Sequence, residues 1–585
     1  MNTGPHLERP SESRRPRHIP TLMLAALVCV NACSDVDGVL TRPAKLAFLV
    51  GPTSTSAGAP INLQVVVEDS LGLVVAGAVD SIALAITTDS SGAKLTGTTL
   101  ATAVAGVAVF SNIRINKAGN GYTLKASAAG LIDATSGMFT VAASAANSLV
   151  FTVQPATTLA HLPIHPVITV VDSFNNTVLT SSAAVTLTIG ANPVGGKLSG
   201  GATLTAVNGV ATFTDLSIDS VGSGFTLAAA AADLAGATSQ AFDIKPSFTF
   251  LNALWAYTCG LAGGRGYCWG YNSSGQLGSG STSYSSPPVA VSGGLRFAQV
   301  STDDNHTCGL TLGGVAYCWG DNFYGGLGKG DTVSSPAPAL VAGALVFSQV
   351  SAGTWHTCGV TAGSLYCWGW NSSGQLGDSS TTTRLSPVAV SGGLTWSSVA
   401  AGLYSTCGLA SSGSAYCWGD SSGTARKVPT AVPGGLTFSM VKAGAYHWCG
   451  VTPSGAAYCW GLNASGQLGN GTTVSSSFSP VPVSGGLAFA AIFPGGRHTC
   501  GITLSGSSYC WGTGLDGELG NGAAASSSVP VAVSGSLQFV SFALGERYTC
   551  ALTSGGAVYC WGYNYQGQLG DGTQTSSLIP LLVIY

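Results

Sequence analysis

Fourteen cysteines after residue 250 fall into seven close pairs, a regular spacing of reactive groups. Cys259 pairs with Cys268, Cys308 with Cys318, Cys358 with Cys367, Cys407 with Cys417, Cys449 with Cys459, Cys500 with Cys510 and Cys550 with Cys560. Two pairs are nine residues apart, which sets the cysteines opposite each other across a two-residue turn, Gly263-Gly264 or Ala362-Gly363. The other five are ten apart and need a three-residue loop whose last residue is left-handed and normally glycine. Gly314, Gly413, Gly455, Gly506 and Gly556 stand there. Facing positions on antiparallel strands lie about 4.5 to 5.5 Å apart, within reach of a disulfide. Zinc needs four converging ligands where only two thiols meet. Seven disulfides are therefore expected, and with them an oxidising compartment.

Two residues before each first cysteine stand Tyr257, His306, His356, Ser405, His447, His498 and Tyr548. Four histidines in one column invite a metal site. One per unit at equivalent positions, with Tyr or Ser in the others, points instead to a repeated hydrogen-bonding role. No metal or cofactor is expected. Paired convergent carboxylates, a nucleophile elbow, a phosphate loop and HExxH are all missing from the sequence, so no catalytic residue is assigned.

Immediately before that column each unit carries two variable residues: Trp255-Ala256, Asp304-Asn305, Thr354-Trp355, Leu403-Tyr404, Ala445-Tyr446, Gly496-Arg497 and Glu546-Arg547. Eight of these 14 are aromatic or charged, whereas the whole chain is 8% aromatic and 8% charged. Aromatic and Arg side chains that vary on turns of a repeated scaffold suit a recognition surface. Trp255, Asp304, Asn305, Trp355, Tyr404, Tyr446, Arg497, Glu546 and Arg547 are the candidate binding residues; exposed turn residues drifting freely are the alternative. The Gly-Gln-Leu-Gly loops, with Gln276, Gln375, Gln467 and Gln568, are expected to lie on a different face.

The elements that carry these residues repeat too. Cys-Trp-Gly recurs with Trp at 269, 319, 368, 418, 460, 511 and 561, and each unit of roughly 50 residues reads as four short strands, the content of a propeller blade. Trp269-Gly270, Asn272, Gly275-Gln276-Leu277-Gly278 and His306-Thr307 resemble the signatures of the regulator of chromosome condensation repeat family. The resemblance implies a seven-bladed β-propeller over residues 245–585. In the fourth unit the Gly-Gln-Leu-Gly loop is deleted, so that Asp420 to Lys427 runs straight to the outer strand. Eukaryotic members are exchange factors for a small GTPase, a partner that an exported chain does not meet. A bacterial propeller resembling this one inhibits a β-lactamase, so enzyme inhibition is one alternative role. An extracellular polysaccharide-active enzyme is another: acidic residues in the central channel would favour it, and an apolar or Ser/Thr channel would favour binding.

Residues 44–142 and 147–244 form a second repeat at a constant offset of 103, with Phe48 matching Phe151, Asp69 matching Asp172 and Phe110 matching Phe213. Their alternating segments and turns suit strands, and about 100 residues is the size of an Ig-like sandwich. They resemble bacterial Ig-like domains used as spacers. The fold class is thus all-β: two Ig-like sandwiches, then the propeller. Ahead of them Arg14, Arg15 and Arg17 precede an apolar run ending in Val30-Asn31-Ala32-Cys33, which looks like a lipoprotein signal over 1–32, with lipidation at Cys33 and a linker over 33–43. Asn31 departs from the small residue usual at its place.

Only 8% of residues are charged, the net charge is -3, and no basic cluster follows residue 20, so nucleic acid is excluded as a partner. The sequence predicts an exported, monomeric protein at the bacterial outer membrane or cell surface. It would touch membrane only through its lipid and bind a protein or glycan.

Overall fold

The computed structural model describes residues 42–88, 92–420, 425–474 and 478–584. The expected signal over 1–32, Cys33 and nearly all of the expected linker lie outside these. Among the described residues every regular element is a strand apart from one 3-10 turn at Ser292–Gly294. The chain divides into two compact units at residues 144/145.

In the first unit a four-stranded and a six-stranded sheet share one core. Alternation sets it up: along Ile61–Glu68 the residues Ile61, Leu63, Val65 and Val67 point inward, and Val107–Ile115 buries Ala108, Phe110, Ile113 and Ile115. Asp69 Oδ1 accepts the N–H groups of Leu71 and Leu73 at 2.9 Å, closing the turn after the strand. The second unit opens with equivalent strand pairings shifted by 103, its opening strands divided among sheets of three, three, four and two. Phe151 pairs with Ile168 as Phe48 pairs with Val65, and Asp172 caps Phe174 and Asn176. Both Asp residues are thus turn formers.

From Phe248 onward follow seven four-stranded antiparallel sheets, each ordered as the chain runs. Sheet one is Phe248–Ala253, Tyr257–Ala262, Arg265–Gly270 and Ser285–Ala290. Sheets two to seven begin at Phe297, Gln349, Trp396, Met440, Phe489 and Phe539. Sheet seven bonds to sheet one: Gly556 O accepts from Phe248 N at 2.9 Å, and Gln568 O from Trp269 Nε1 at 3.0 Å. The ring is closed.

What joins the sheets explains the repeated tryptophan. Each is almost wholly buried, and at six seams its indole N–H donates to a backbone carbonyl in the Gly-Gln-Leu-Gly loop, or its equivalent, of the preceding sheet. Glycine ends that loop because a Cβ at Gly278 would stand 2.6 Å from Trp319 Nε1. The seventh tryptophan, Trp460, faces sheet four, where the loop is deleted, and its Nε1 has no partner among the described residues.

Candidate functional site

The expected cysteine pairing is the one the fold adopts. Cys259 is bonded to Cys268, Cys308 to Cys318, Cys358 to Cys367 and Cys407 to Cys417. Cys449 is bonded to Cys459, Cys500 to Cys510 and Cys550 to Cys560. Within each pair the Cα atoms lie 4.0–4.1 Å apart. This is closer than the general spacing of facing strand residues, and no bonded cysteine is more than 1% exposed. The two short turns hold positive φ at both residues, including Ala362 at 47°, and the five longer loops end in glycines with φ of 79–87°.

The histidine column is structural. Nε2 of His306, His356, His447 and His498 lies 2.7–2.8 Å from the hydroxyl of Thr357, Thr406, Thr499 and Thr549 in the following sheet. Those hydroxyls already donate to the carbonyls of Gly326, Gln375, Gln467 and Glu518. Each threonine oxygen can therefore only accept from histidine, which fixes the Nε2–H tautomer. Tyr257 reaches Thr307, and Tyr548 reaches Thr258, in the same way. Burial holds His306 down to about 4 and the other three to about 3, so all four are neutral at neutral pH. No group of metal-ligating side chains occurs among the described residues.

One seam breaks this rule. Sheet four has Ser405 in the column, and sheet five has Trp448 where the others have threonine. A small residue has replaced the histidine and a large one its partner. Trp448 is buried among Cys407, Cys417, Phe438 and Trp460, and its Nε1 has no partner among the described residues.

The variable turns sit above this lacing. In all seven units the carbonyl of the turn's second residue accepts the N–H of the residue that follows Cys-Trp-Gly, as Trp355 O does from Trp370 N at 2.8 Å and Arg547 O from Tyr563 N at 2.9 Å. Neighbouring turns are stitched directly: Ala445 N donates to Gly495 O, Gly496 N to Gly545 O, and Glu546 N to Trp255 O. The side chains are thus held on rigid backbone.

Two contiguous groups result. Trp355 and Tyr404 form one aromatic cluster with Trp370 and Tyr324, with centroids 5.1–5.9 Å apart, and the exposed Phe323 packs on Tyr324. On sheets six and seven the members are charged, with Tyr446 of sheet five against them. Arg497 lies over the Tyr446 ring and 3.9 Å from Glu546, while Arg547 lies over Tyr563 and bonds Asp516 at 2.6 Å. Burial raises Glu518 to about 7, and burial followed by the Glu546 charge raises Asp304 to about 6. Trp255, Asp304 and Asn305 lie partly exposed in the turns of sheets one and two. Behind Asp304, Asp303 is wholly buried, and burial keeps its carboxyl well above the usual range.

The loop glutamines are not on another face. Gln276, Gln375, Gln467 and Gln568 are at most 2% exposed, and Gln276 Nε2 reaches the Asp304 carbonyl at 3.4 Å. Their Oε1 atoms accept a backbone N–H two residues back, so these are turn-forming residues beneath the ring. The same loops bring Tyr324 and Asp516 up beside the turns. Sequence reading missed these two residues, Trp370 and Tyr563. A signal existed: the residue after each Cys-Trp-Gly reads Tyr271, Asp321, Trp370, Asp420, Leu462, Thr513 and Tyr563, a second variable column rich in aromatic and acidic types.

The innermost strands enclose a channel of about 180 Å³ open to water, lined by Asn252, Ser301, Ser351, Lys442, Phe493 and Ser541 among others. None of its lining residues is Asp or Glu.

Comparison with known families fits this geometry. Residues 263–310, 313–360, 362–409, 454–502, 505–552 and 555–585 match the regulator of chromosome condensation (RCC1) repeat, and a second profile of that repeat matches 297–325, 347–375 and 539–568. The chain carries RCC1 repeats. With them the ring of sheets is a β-propeller. Residues 410–453 fall outside both profiles, and they include the segment after Trp418 in which the Gly-Gln-Leu-Gly loop is deleted. Among solved structures, human WBSCR16 is 22% identical over 54% of this chain and 89% of its own, at a TM-score of 0.49. Yeast RCC1 (Prp20), bound to Kap60, is 18% identical over 58% and 85%, at 0.49. The CRINKLY WD40 ectodomain of the Arabidopsis thaliana receptor kinase ACR4 is 22% identical over 53% and 95%, at 0.36. No curated protein sequence matches the chain.

Proposed function

We propose that the chain is an exported recognition protein in which a seven-bladed propeller, carried on Ig-like sandwiches at 44–142 and 147–244 and anchored by lipid at Cys33, binds a protein through its ring of turns. The observation that carries this reading is the contiguity of Tyr324, Trp355, Trp370 and Tyr404 beside the Tyr446, Arg497, Glu546 and Arg547 network. Aromatic anchors flanked by arginines are the composition of energetic centres in protein interfaces. Seven buried disulfides add support for an oxidising compartment. No helix among the described residues is long and apolar enough to cross a membrane. Inhibition of a secreted enzyme would use the same surface. A glycan ligand would use the aromatic cluster alone, and a polysaccharide-active enzyme finds no carboxylate in the channel lining.

The test is an alanine scan of Trp355, Tyr404, Tyr446, Arg497 and Arg547 against whatever the full chain captures from surface extracts and glycan arrays. Anchors should cost about 2 kcal/mol or more and cluster on adjacent sheets. Losses confined to Trp355 and Tyr404 with a glycan would select the glycan reading, and no loss at any position would refute the ring.

A further inference from the structure

We propose that the central channel binds one small oxyanion, a carboxylate, phosphate or sulfate, between the Lys442 ammonium and side-chain donors of sheets one to three. On the innermost strands one residue of each sheet stands at the same height, opposite the first cysteine of its pair: Asn252, Ser301, Ser351, Ala400, Lys442, Phe493 and Ala543. In the first three sheets this residue laces the seam. Asn252 Oδ1 accepts from both N and Oγ1 of Thr302, Ser301 Oγ from Ala352 N, and Ser351 Oγ from Ala401 N.

At Lys442 no such bond can form. An ammonium has no lone pair to offer, and the next strand presents Pro494, which has no N–H. Lys442 has no ion pair or hydrogen-bond partner among the described residues and lines the channel. Its side chain is exposed to the water of the channel, and partial desolvation by the surrounding strands lowers its pKa.

The seam bonds consume acceptors and leave donors. Asn252 Oδ1 is filled, so Nδ2 remains, and Ser301 and Ser351 keep their hydroxyl protons because each oxygen serves as an acceptor. With Gln299 and Gln349 occupied at both ends by neighbouring strands, the level presents one cation and several donors with no carboxylate against them. An ammonium facing several free donors, with no carboxylate in the lining, favours an anion whose acceptor oxygens can take charge-assisted bonds from it and ordinary bonds from those donors. The roughly 180 Å³ space is ample for an oxyanion of a few heavy atoms.

The experiment is calorimetric titration of the full, oxidised chain with acetate, phosphate and sulfate at constant ionic strength set by chloride. At least one probe should bind saturably at one site per chain. Lys442→Met should weaken it at least tenfold. Asn252→Asp, which keeps the acceptor for Thr302 but replaces the donor with a charge, should do the same, while Tyr284→Ala, at an exposed aromatic outside both the channel lining and the ring, should leave it unchanged. Absence of saturable binding by all three probes, or wild-type affinity in either channel variant, overturns the proposal. Loss on Tyr284→Ala would place the site outside the channel and overturn it equally.

Discussion

The indole of Trp355 meets that of Trp370 edge to face, with centroids 5.1 Å apart and planes at 89°, although the two belong to different segments of sheet three. One backbone bond, Trp370 N to Trp355 O at 2.8 Å, brings them together. Such pairs contribute about 0.5–1.5 kcal/mol beyond their burial. A double-mutant cycle with Trp355→Ala and Trp370→Ala, read by denaturant unfolding, should return a coupling in that range. Additive losses would mean that the two rings do not act as a unit.

The seam between Ser405 and Trp448 makes its own prediction. Ser405→His alone should overpack against Trp448 and cost about 1–3 kcal/mol. Trp448→Thr alone should leave a cavity and cost about 3–5 kcal/mol. Together they rebuild the His–Thr pair of the other seams, so the double variant should recover at least about 1 kcal/mol relative to the sum. Strict additivity would show that the exchange of sizes is not compensatory.

The buried histidines set an acid limit. In the fold His447 is held to about 3, while in the unfolded chain it titrates near 6.5, so below pH 6.5 the unfolded state takes up a proton that the fold refuses. Its contribution is complete above 6.5 and is lost progressively as pH falls toward 3. Glu518 and Asp304 act the other way. With pKa values raised to about 7 and about 6, they weaken the fold as pH rises from the ordinary carboxyl range toward those values. A comparison at one site separates the two effects. His447→Tyr, the residue that sheets one and seven use there, should lose stability less steeply than wild type between pH 6 and 4, by up to about 1.4 kcal/mol per pH unit. Parallel pH profiles would contradict the buried neutral histidine.

The disulfides should resist reductant while the fold persists, because every bonded cysteine is at most 1% exposed. Mass measurement after reduction in denaturant should show a gain of about 14 hydrogens. Rapid reduction under native conditions would show that the sheets open readily.

How legible this was depended on whether a property was local. Turn chemistry fixed the hairpins: a spacing of nine or ten and a glycine at Gly314 or Gly556 determine which residues face each other, and the bonds of Cys308 to Cys318 and of Cys550 to Cys560 followed. The column of Tyr257, His306 and their equivalents was recognisable as structural from its repetition, but its partner threonines belong to the next sheet, some 50 residues on. The face was harder. Gln276 in an exposed-looking Gly-Gln-Leu-Gly loop gives no sign that the carbonyl beside it receives Trp319 and Thr307 from the following sheet. That closure buries the loop beneath the turns and lifts Tyr324 to Trp355. Lys442 reads as one surface lysine in a strand until Pro494 is placed beside it.

The ring of turns as the binding surface is the central claim, and capture by three forms of the full chain tests it most directly. Wild type, the double variant Tyr404→Ala with Arg547→Ala, and Tyr284→Ala, which removes a 61% exposed aromatic outside the ring, are compared on the same surface extract and glycan array. The expected outcome is a species held by wild type and by Tyr284→Ala and lost by the double variant. A species held equally by the double variant and lost by Tyr284→Ala would contradict it.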